Sequence, residues 1–437
     1  MKKASYYNLY FADANQPYIF NTLTSSLIKV SQSVANSVSS NDLGKLSEET
    51  AALLSQRGII VNSLMDESRY FEYYYNVRQY GYGDELFVVI LPTYSCNLQC
   101  TYCYQGANVK SGYMGEKEKD AILRFIKDQV HQKGRLLKTI KMIFFGGEPL
   151  LCKQLVVQIA DEIRQVAIDA GLAFYSSIIT NATLIDQDII ERLIIPNSMT
   201  IQVSIDGDKT SHDKKRIDAR GNGTFDVIKS TLMRIAENGL KSNVVLRINI
   251  DKTNCDKIEP LLQEFSQFVG KFYFGRLRPD GSYGCNAELC ISTDEYQTEC
   301  LPKIRSLALK YHIERCDRQF GKMHPCGFNK QSVYIVDPFL DVYKCDGLVG
   351  MPRFSVGKIS YDGKMLKNDN YYLQATRSPF RLDKCRRCKW LPICAGGCAY
   401  NGYLKTRSID EPYCEITEEL VVNDLLAIIH GEAGVHK

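Results

Sequence analysis

Three cysteines on one short segment are the residues of this chain best suited to metal chemistry. Cys96, Cys100 and Cys103 lie in the string SCNLQCTYCY with the spacing CxxxCxxC. Three thiolates are one ligand fewer than a 4Fe–4S cluster or a closed structural zinc site needs. A 4Fe–4S cluster bound here would keep one iron without a protein ligand. The segment therefore predicts an iron that is open to a small molecule chelating through its amine and carboxylate.

The same segment resembles the signature of radical S-adenosylmethionine (radical SAM) enzymes, in which an aromatic residue, here Tyr102, precedes the last cysteine. A second string, FFGGEP, matches the motif that holds the amino group of SAM in that family. It contains the four residues Gly146, Gly147, Glu148 and Pro149. Two glycines allow close backbone approach to a ligand, although GGEP alone could be a turn.

Two further strings match places where the family contacts the ribose or carboxylate of the cofactor. TNAT contains Asn181, with Ala182 where the family usually has glycine, and VSIDG contains Ser204 and Asp206. Asp206 could also be a turn former before a glycine. Two arginines, Arg216 and Arg247, could pair with the cofactor carboxylate or could make structural ion pairs.

A third group of cysteines lies near the C-terminus. The string CRRCKWLPICAGGC, with cysteines before and after it, resembles the SPASM domain, which holds two auxiliary 4Fe–4S clusters. The resemblance implies a first cluster on Cys326, Cys345 and Cys398, with Cys316 as our candidate for its fourth ligand. It implies a second cluster on Cys385, Cys388, Cys394 and Cys414. Zinc knuckles are the alternative, because CxxC alone is ambiguous. The family usually has a glycine where this chain has Leu340, so we expect a differently built hairpin there.

The elements that must position these residues alternate between strand and helix. From 86 to 300 the pattern predicts an α/β fold, a partial (β/α)6 barrel whose site lies at the carboxyl ends of the strands. Residues 1–85 predict a hairpin, a helix over 23–38, a second helix that ends at Gly58 and a short strand. Through the string YIFNTLTSSL they resemble winged-helix-like domains that recognise precursor peptides. A plain capping domain is the alternative. Residues 301–437 form the expected SPASM domain, and they end in a helix.

Composition excludes some partners. The chain has 437 residues, 45% hydrophobic and 24% charged, with a net charge of +4. Basic and acidic residues are nearly equal in number, so the sequence predicts no positively charged surface for nucleic acid. No apolar stretch approaches the ~18 residues of a membrane span. Because no export signal is visible, we expect a cytoplasmic protein with reduced thiols. Five cysteines without ligand spacing are then expected to be small buried side chains: Cys152, Cys255, Cys285, Cys290 and Cys300.

Together the resemblances imply a radical SAM/SPASM peptide maturase with three 4Fe–4S clusters and SAM. It would take electrons from a donor such as flavodoxin or ferredoxin, and abstract a hydrogen atom from a precursor peptide whose leader the N-terminal domain binds. An intramolecular crosslink would follow, with the lysine–tryptophan bond of streptide-type cyclases as the nearest guess. The alternatives are an anaerobic sulfatase-maturating enzyme, a thioether-forming maturase and a zinc-stabilised scaffold protein. The general base is not identifiable from sequence.

Overall fold

The computed structural model describes residues 1–81, 83–103, 111–277, 289–313 and 325–431. Cys285 and Cys316 lie outside the described residues, so the role of Cys316 stays a prediction. The chain forms two compact units. The smaller unit comprises 1–81, 318–330 and 376–431, and the larger unit comprises 82–317, 331–375 and 432–437. The smaller unit groups the N-terminal segment with the last cysteines of the chain; the expected three-domain division remains a prediction.

The N-terminal part of the smaller unit contains five strands and three helices. Its strands are β1 (Lys2–Ala4), β2 (Asn8–Asp13), β3 (Gln16–Asn21), β4 (Ser26–Lys29) and β5 (Ile60–Asn62). Its helices are α1 (Gln32–Ser39), α2 (Glu48–Gln56) and α3 (Glu67–Tyr80). The antiparallel sheet β2-β3-β4 leaves β2 and β4 as its edges, and β1 pairs with β5. The expected hairpin is present, and its turn residues Ala14 and Asn15 both have positive φ.

Two elements of this segment differ from the sequence prediction. Residues 26–29 were expected in the first helix, but they form β4, and α1 begins only after the N-cap Ser31. Pairing with β3 buries Leu27 against the C-terminal helix and overrides the local helical pattern. Helix α3 was not predicted, since its tyrosine-rich sequence has no clear apolar period.

The larger unit is built on six parallel strands in chain order, as predicted for the partial barrel. They are β6 (Glu85–Ile90), β7 (Thr139–Phe144), β8 (Ala173–Thr180), β9 (Thr200–Ile205), β10 (Val244–Ile250) and β11 (Lys271–Arg276). The helices are α4 (Glu116–Lys133), α5 (Lys153–Asp169), α6 (Gln187–Ile189), α7 (Lys209–Lys215), α8 (Phe225–Glu237), α9 (Ile258–Phe265), α10 (Thr293–Glu295) and α11 (Leu301–Lys310). Alternate strand residues such as Leu246 and Ile248 pack with these helices in one core. The other alternate residues, among them Arg247 and Asn249, therefore face the barrel interior.

The sheet continues beyond β6 in a way that the sequence did not predict. Strand β12 (Val333–Val336) pairs parallel to β6, followed by antiparallel β13 (Asp341–Tyr343), β14 (Gly357–Ile359) and β15 (Met365–Lys367). Short helices complete the chain: α12 (Asp369–Ala375), α13 (Asp383–Arg386), α14 (Leu391–Cys394), α15 (Ala399–Thr406) and the predicted terminal helix α16 (Glu418–Ile429). Within the part of the chain that the structure describes, no helix has the length and apolar character to span a membrane.

The expectation of reduced thiols is wrong for Cys255, Cys290 and Cys300, although Cys290 and Cys300 are buried as predicted. Cys255 and Cys300 form a disulfide across 45 residues of sequence, and Cys290 is also disulfide-bonded. The two half-cystines of the first bond follow β10 and precede α11, elements whose proximity only the folded chain creates. Cys152, by contrast, is a free and partly buried thiol, as predicted.

Candidate active site

The three-cysteine segment directly follows β6 at the carboxyl end of the barrel strands. Backbone contacts hold it: Gln99 N–H donates to Ile217 O at 2.8 Å and Thr101 N–H donates to Lys215 O at 2.9 Å. The loop is thereby joined to the segment that carries Arg216. The predicted metal-binding cysteines and the predicted cofactor-binding residues thus meet at one end of the sheet.

The GGEP string ends β7 and lies against the start of the cysteine loop. A Cβ on Gly146 would come within 2.5 Å of Thr93 O, and one on Gly147 within 2.1 Å of Ser95 O. Gly147 N–H and Glu148 N–H donate to Thr93 O and Ser95 O at 3.2 and 2.9 Å. The close approach that the two glycines permit is therefore to the backbone that leads into Cys96.

Glu148 is fully buried and joins β7 to β8. Its carboxylate accepts hydrogen bonds from Asn181 N–H at 2.8 Å, Thr180 Oγ1 at 2.8 Å and Leu150 N–H at 3.0 Å. Burial nevertheless raises its pKa. Pro149, also buried, begins the short helical turn that follows. These two residues shape the loop, and the contacts they make are with protein groups.

Asn181 reaches from the end of β8 to the cysteine loop. Its Nδ2 donates to Asn97 Oδ1 at 2.8 Å and lies 3.8 Å from the Cys96 sulfur. Asn97 Nδ2 in turn donates to Thr183 Oγ1 at 2.8 Å. This network sets the position of the first cysteine relative to β8.

A buried polar network surrounds Tyr102, the aromatic residue between Cys100 and Cys103. The Tyr102 hydroxyl donates to Asp206 Oδ2, and it accepts from Arg216 Nη1 at 2.7 Å. Arg216 also pairs with Asp206 at 3.8 Å. Asn249 Nδ2, from the end of β10, donates to Asp206 Oδ1 at 2.8 Å. The structure thus brings together three predicted cofactor-binding residues, Tyr102, Asp206 and Arg216. Ser204, which was also predicted, lies on β9 two residues before Asp206.

Sequence reasoning missed three members of this network: Asn249, His212 and Lys215. Lys215 forms a buried ion pair with Asp251, and it donates to Thr253 Oγ1 at 3.0 Å. His212 Nδ1 accepts from Asp206 N–H at 3.3 Å, and burial lowers the pKa of this imidazole to about 4. Asn249 lies on the interior face of β10 with Arg247, two residues before it. The two-residue period of a strand would have indicated from the sequence that both side chains share one face.

The thiols of the loop fit an iron–sulfur cluster by donor chemistry. Burial raises the pKa of Cys96 and raises that of Cys100 to about 11, so both are protonated thiols at neutral pH. Metal binding must displace these protons, as it does for thiolate ligands in general. Among the described residues, no three His, Cys, Asp or Glu side chains are already arranged around one metal position. Arg216 Nε is buried and has no hydrogen-bond partner among the described residues, which leaves a donor beside Cys100.

The C-terminal cysteines are brought together in part. Burial, and then Cys394, Cys414 and Cys388, raise the pKa of the Cys385 thiol to about 12, which makes these four thiols electrostatic neighbours within the smaller unit. They are the four residues predicted for the second auxiliary cluster. The residues predicted for the first auxiliary cluster are divided: Cys326 and Cys398 belong to the smaller unit and Cys345 to the larger. That ligand set stays a prediction.

Both positions where the family usually has glycine keep a glycine-like backbone. Ala182 has φ +64° and Leu340 has φ +68°, and both are buried. Left-handed backbone costs a non-glycine residue roughly 1 kcal/mol or more. The hairpin at Leu340 is therefore closed by a strained leucine, in a turn conformation that glycine would adopt freely.

Comparison with known proteins identifies one domain of the chain. Residues 90–265 match the model of the Radical SAM superfamily. The chain carries a radical SAM domain. The matched residues run from the end of β6 through α9, and they contain Cys96, Cys100, Cys103 and the polar network described around Tyr102. The chain is accordingly a radical SAM enzyme, and SAM and an iron–sulfur cluster are the groups that its site is built to hold.

Individual relatives cover most of the chain. It is 25% identical over 340 residues to a cysteine-type anaerobic sulfatase-maturating enzyme from Clostridium perfringens strain 13, covering 72% of this chain and 88% of the relative. In fold it resembles native anSMEcpe with bound AdoMet and the Cp18Cys peptide, with a TM-score of 0.63, 20% identity, and coverage of 80% of this chain and 99% of the other. It also resembles Streptococcus suis SuiB bound to precursor peptide SuiA, with a TM-score of 0.55, 17% identity, and coverage of 95% and 99%.

Proposed function

We propose that this enzyme modifies a ribosomal precursor peptide by abstracting a hydrogen atom and forming an intramolecular crosslink. The observation that carries the proposal is the extent of the fold likeness: the likeness to SuiB with its precursor peptide covers nearly the whole chain, and that to anSMEcpe leaves a fifth of it unmatched. A fifth of this chain is close to the length of the N-terminal segment 1–85. A lysine–tryptophan carbon–carbon bond is the finer form of the proposal.

Different residues of this chain bind the cofactors, position the binding loop and line the site. When bound, a 4Fe–4S cluster and SAM supply one-electron cleavage and hydrogen-atom abstraction. Cys96, Cys100 and Cys103 hold the cluster. Glu148 and Asn181 fix the loop that carries them, and Tyr102, Asp206 and Arg216 form the polar wall toward the cofactor. The second set, Cys385, Cys388, Cys394 and Cys414, would hold an auxiliary cluster that accepts the electron released by crosslinking.

The sheet β2-β3-β4 is suited to capture a leader peptide as an added strand. Val30 N–H donates to Pro17 O at 3.1 Å, which puts residues 26, 28 and 30 in the hydrogen-bonded positions facing β3. The N–H groups of Leu27 and Lys29 therefore point away from the sheet, as do those of Tyr10 and Ala12 on the other edge. Strand addition uses such groups without strong demands on peptide sequence.

Proline substitutions test this edge in the full-length enzyme. Lys29→Pro removes one outward donor of β4, and Tyr10→Pro removes one of β2; neither breaks a bond to β3. The net value of a backbone hydrogen bond, about 1 kcal/mol, predicts roughly fivefold weaker leader binding for the variant at the true edge. The other variant serves as the control. Unchanged affinity in both would exclude strand addition at this sheet.

Deletion of residues 1–85 would be a poor test of leader binding. Tyr7, Phe71 and Tyr75 pack with Phe380 and Cys385 in one core of the smaller unit. Removing the N-terminal segment would therefore strip the packing around a predicted cluster ligand. Point substitutions leave that core intact.

The decisive experiment is the mass change of a peptide incubated with anaerobically reconstituted enzyme, SAM and reductant. The peptide to use is the product of a short reading frame found beside the gene by sequencing its neighbourhood, and the expected result is the loss of two hydrogens. The curated sulfatase-maturating relatives favour a second candidate, formylglycine formation. The test of this candidate is incubation of the enzyme with the Cp18Cys peptide. If that peptide gains an aldehyde and the precursor peptide gains no crosslink, formylglycine formation replaces the first proposal.

A further inference from the structure

Arg247 is a charged residue on the interior wall of the barrel that the site described above leaves unexplained. It lies on β10, whose alternate residues Leu246 and Ile248 pack into the core with the helices. In the parallel register it stands beside Ser204 of β9 and Tyr273 of β11. Its side chain therefore belongs to the space that the barrel encloses.

The guanidinium of Arg247 is held in place. Its Cζ lies 5.2 Å from the centroid of the Tyr273 ring, and its Nε donates to Asn249 Oδ1 at 2.9 Å. The next interior position of β11 is Gly275, where an added Cβ would come within 3.0 Å of Arg247 Nη2. The missing side chain at Gly275 provides the room in which the guanidinium lies. Such preorganisation lowers the entropic cost of binding a ligand.

No acidic side chain of the described residues neutralises the charge of Arg247. Neighbouring interior cations are paired: Arg216 with Asp206 at 3.8 Å, Lys141 with Glu85 at 2.5 Å, and Lys215 with Asp251. Within the described part of the chain, Arg247 has no carboxylate partner, and its two Nη atoms have no acceptor. A half-buried guanidinium with two free donor groups is a site for a carboxylate.

One side-chain amide separates this subsite from the cofactor network. Asn249 accepts from Arg247 through Oδ1 and donates through Nδ2 to Asp206 and to the Tyr102 hydroxyl, so its amide stands between the two. The Arg247 backbone lies two residues nearer the amino end of β10, roughly 7 Å along the strand. Its guanidinium reaches from there to the level of Asn249 and Gly275, on the barrel-interior side of the network.

We propose that Arg247 binds the carboxylate of a glutamate or aspartate side chain in the peptide, close to the residue that reacts. This inference rests on the proposed function, and it names a feature of the substrate: an acidic residue beside the modified one. A carboxylate is also present in SAM, so the experiment must separate the two sources.

The peptide arm uses the immobilised, reconstituted full-length enzyme and an equimolar pool of synthetic 12-residue peptides (about 40 Å extended). Each peptide exists in two forms that differ only by Glu or Gln at the centre, and mass spectrometry measures the ratio retained. We expect the wild type to enrich the Glu forms about tenfold, as a charge-assisted hydrogen bond predicts, and Arg247→Gln to abolish the enrichment. Arg247→Lys should keep part of it. Lys141→Gln, which removes a paired cation of the same wall, should keep all of it.

The cofactor arm measures binding of SAM and of decarboxylated SAM to the wild type and to Arg247→Gln. We expect the substitution to leave both affinities unchanged. If it weakens only SAM, or if the wild type retains Glu and Gln peptides equally, the proposal is overturned. If Glu enrichment depends on Arg247 but the precursor peptide gains no crosslink, the proposed crosslinking function is wrong and the carboxylate-binding role of Arg247 is supported. Iron content and circular dichroism equal to wild type establish that each variant is folded.

Discussion

The carboxyl group of Asp337 offers a quantitative test of the structure near the cysteine loop. Asp337 is 2% exposed, in the turn that joins β12 to β13. Its Oδ2 accepts from the Tyr94 hydroxyl at 2.8 Å, and its Oδ1 accepts from Phe339 N–H and Asp341 N–H at 2.8 and 2.9 Å. Tyr94 stands two residues before Cys96, so this carboxyl links the hairpin to the segment that bears the cysteines. We predict that Asp337→Asn stabilises the larger unit at neutral pH.

The magnitude follows from the pKa. Burial raises the pKa of Asp337 from 3.8 to about 6, despite the hydrogen bonds that oppose the shift. Between these two values the native state keeps a proton that the unfolded chain has lost. The stabilisation is therefore fully present below pH 3.8 and is lost as the pH rises to about 6. The difference amounts to about 3 kcal/mol, which an asparagine of the same shape does not lose.

The assay is urea unfolding of the wild type and of Asp337→Asn, each from pH 4 to pH 8, with the difference between them taken at each pH. Taking the difference removes the contribution of every other titrating group. We expect the variant to gain stability over the wild type by about 1.4 kcal/mol for each pH unit between 4 and 6, with a plateau above that. Tyr94→Phe, which removes the hydroxyl and leaves the carboxyl, is the matched control and should destabilise at all pH values. A constant offset between wild type and Asp337→Asn across the range would refute the raised pKa.

Three further predictions address the site directly. Cys100→Ala should stop SAM cleavage and leave the absorbance of the auxiliary clusters largely in place. Cys394→Ala should keep some SAM cleavage but lose the crosslinked product. Normal amounts of product from Cys394→Ala would exclude an electron-acceptor role for the cluster that Cys394 is predicted to bind. Because burial lowers the pKa of His212 from 6.5 to about 4, its contribution to stability is present above pH 6.5 and is lost as the pH falls through about 4, so His212→Gln should unfold with a shallower dependence on pH in that window. Ala182→Gly should raise the free energy of unfolding by about 1 kcal/mol, because glycine adopts a positive φ without strain. Leu340→Gly relieves the same strain but removes a buried side chain, so it should lower the free energy of unfolding by about 2 kcal/mol. Thermal unfolding of the two variants separates backbone strain from packing.

Much of the fold was predictable because its signals are local. The predicted strand–helix alternation from β6 to β11 is present, with α7 as an additional helix that was not predicted, since a buried parallel strand and an amphipathic helix differ in their apolar periods. The N-terminal segment was harder to predict. Whether Ser26–Lys29 is a strand depends on its pairing with β3, and helix α3 shows no clear period because four of its aromatic residues face solvent.

Sequence alone determined which chemistry this protein carries. Three cysteines within eight residues, GGEP one βα unit later and VSIDG beyond it are spacings along a chain, and a short loop keeps its ligands together in any fold that forms. Tertiary structure decided everything that depends on contacts between distant segments. The bonds from Asp206 to Tyr102 and Asn249, the disulfide from Cys255 to Cys300 and the position of Arg247 over the Tyr273 ring each depend on residues that are far apart in sequence. Such contacts exist only once the strands are in register, because the register of the sheet sets which side chains share its interior face.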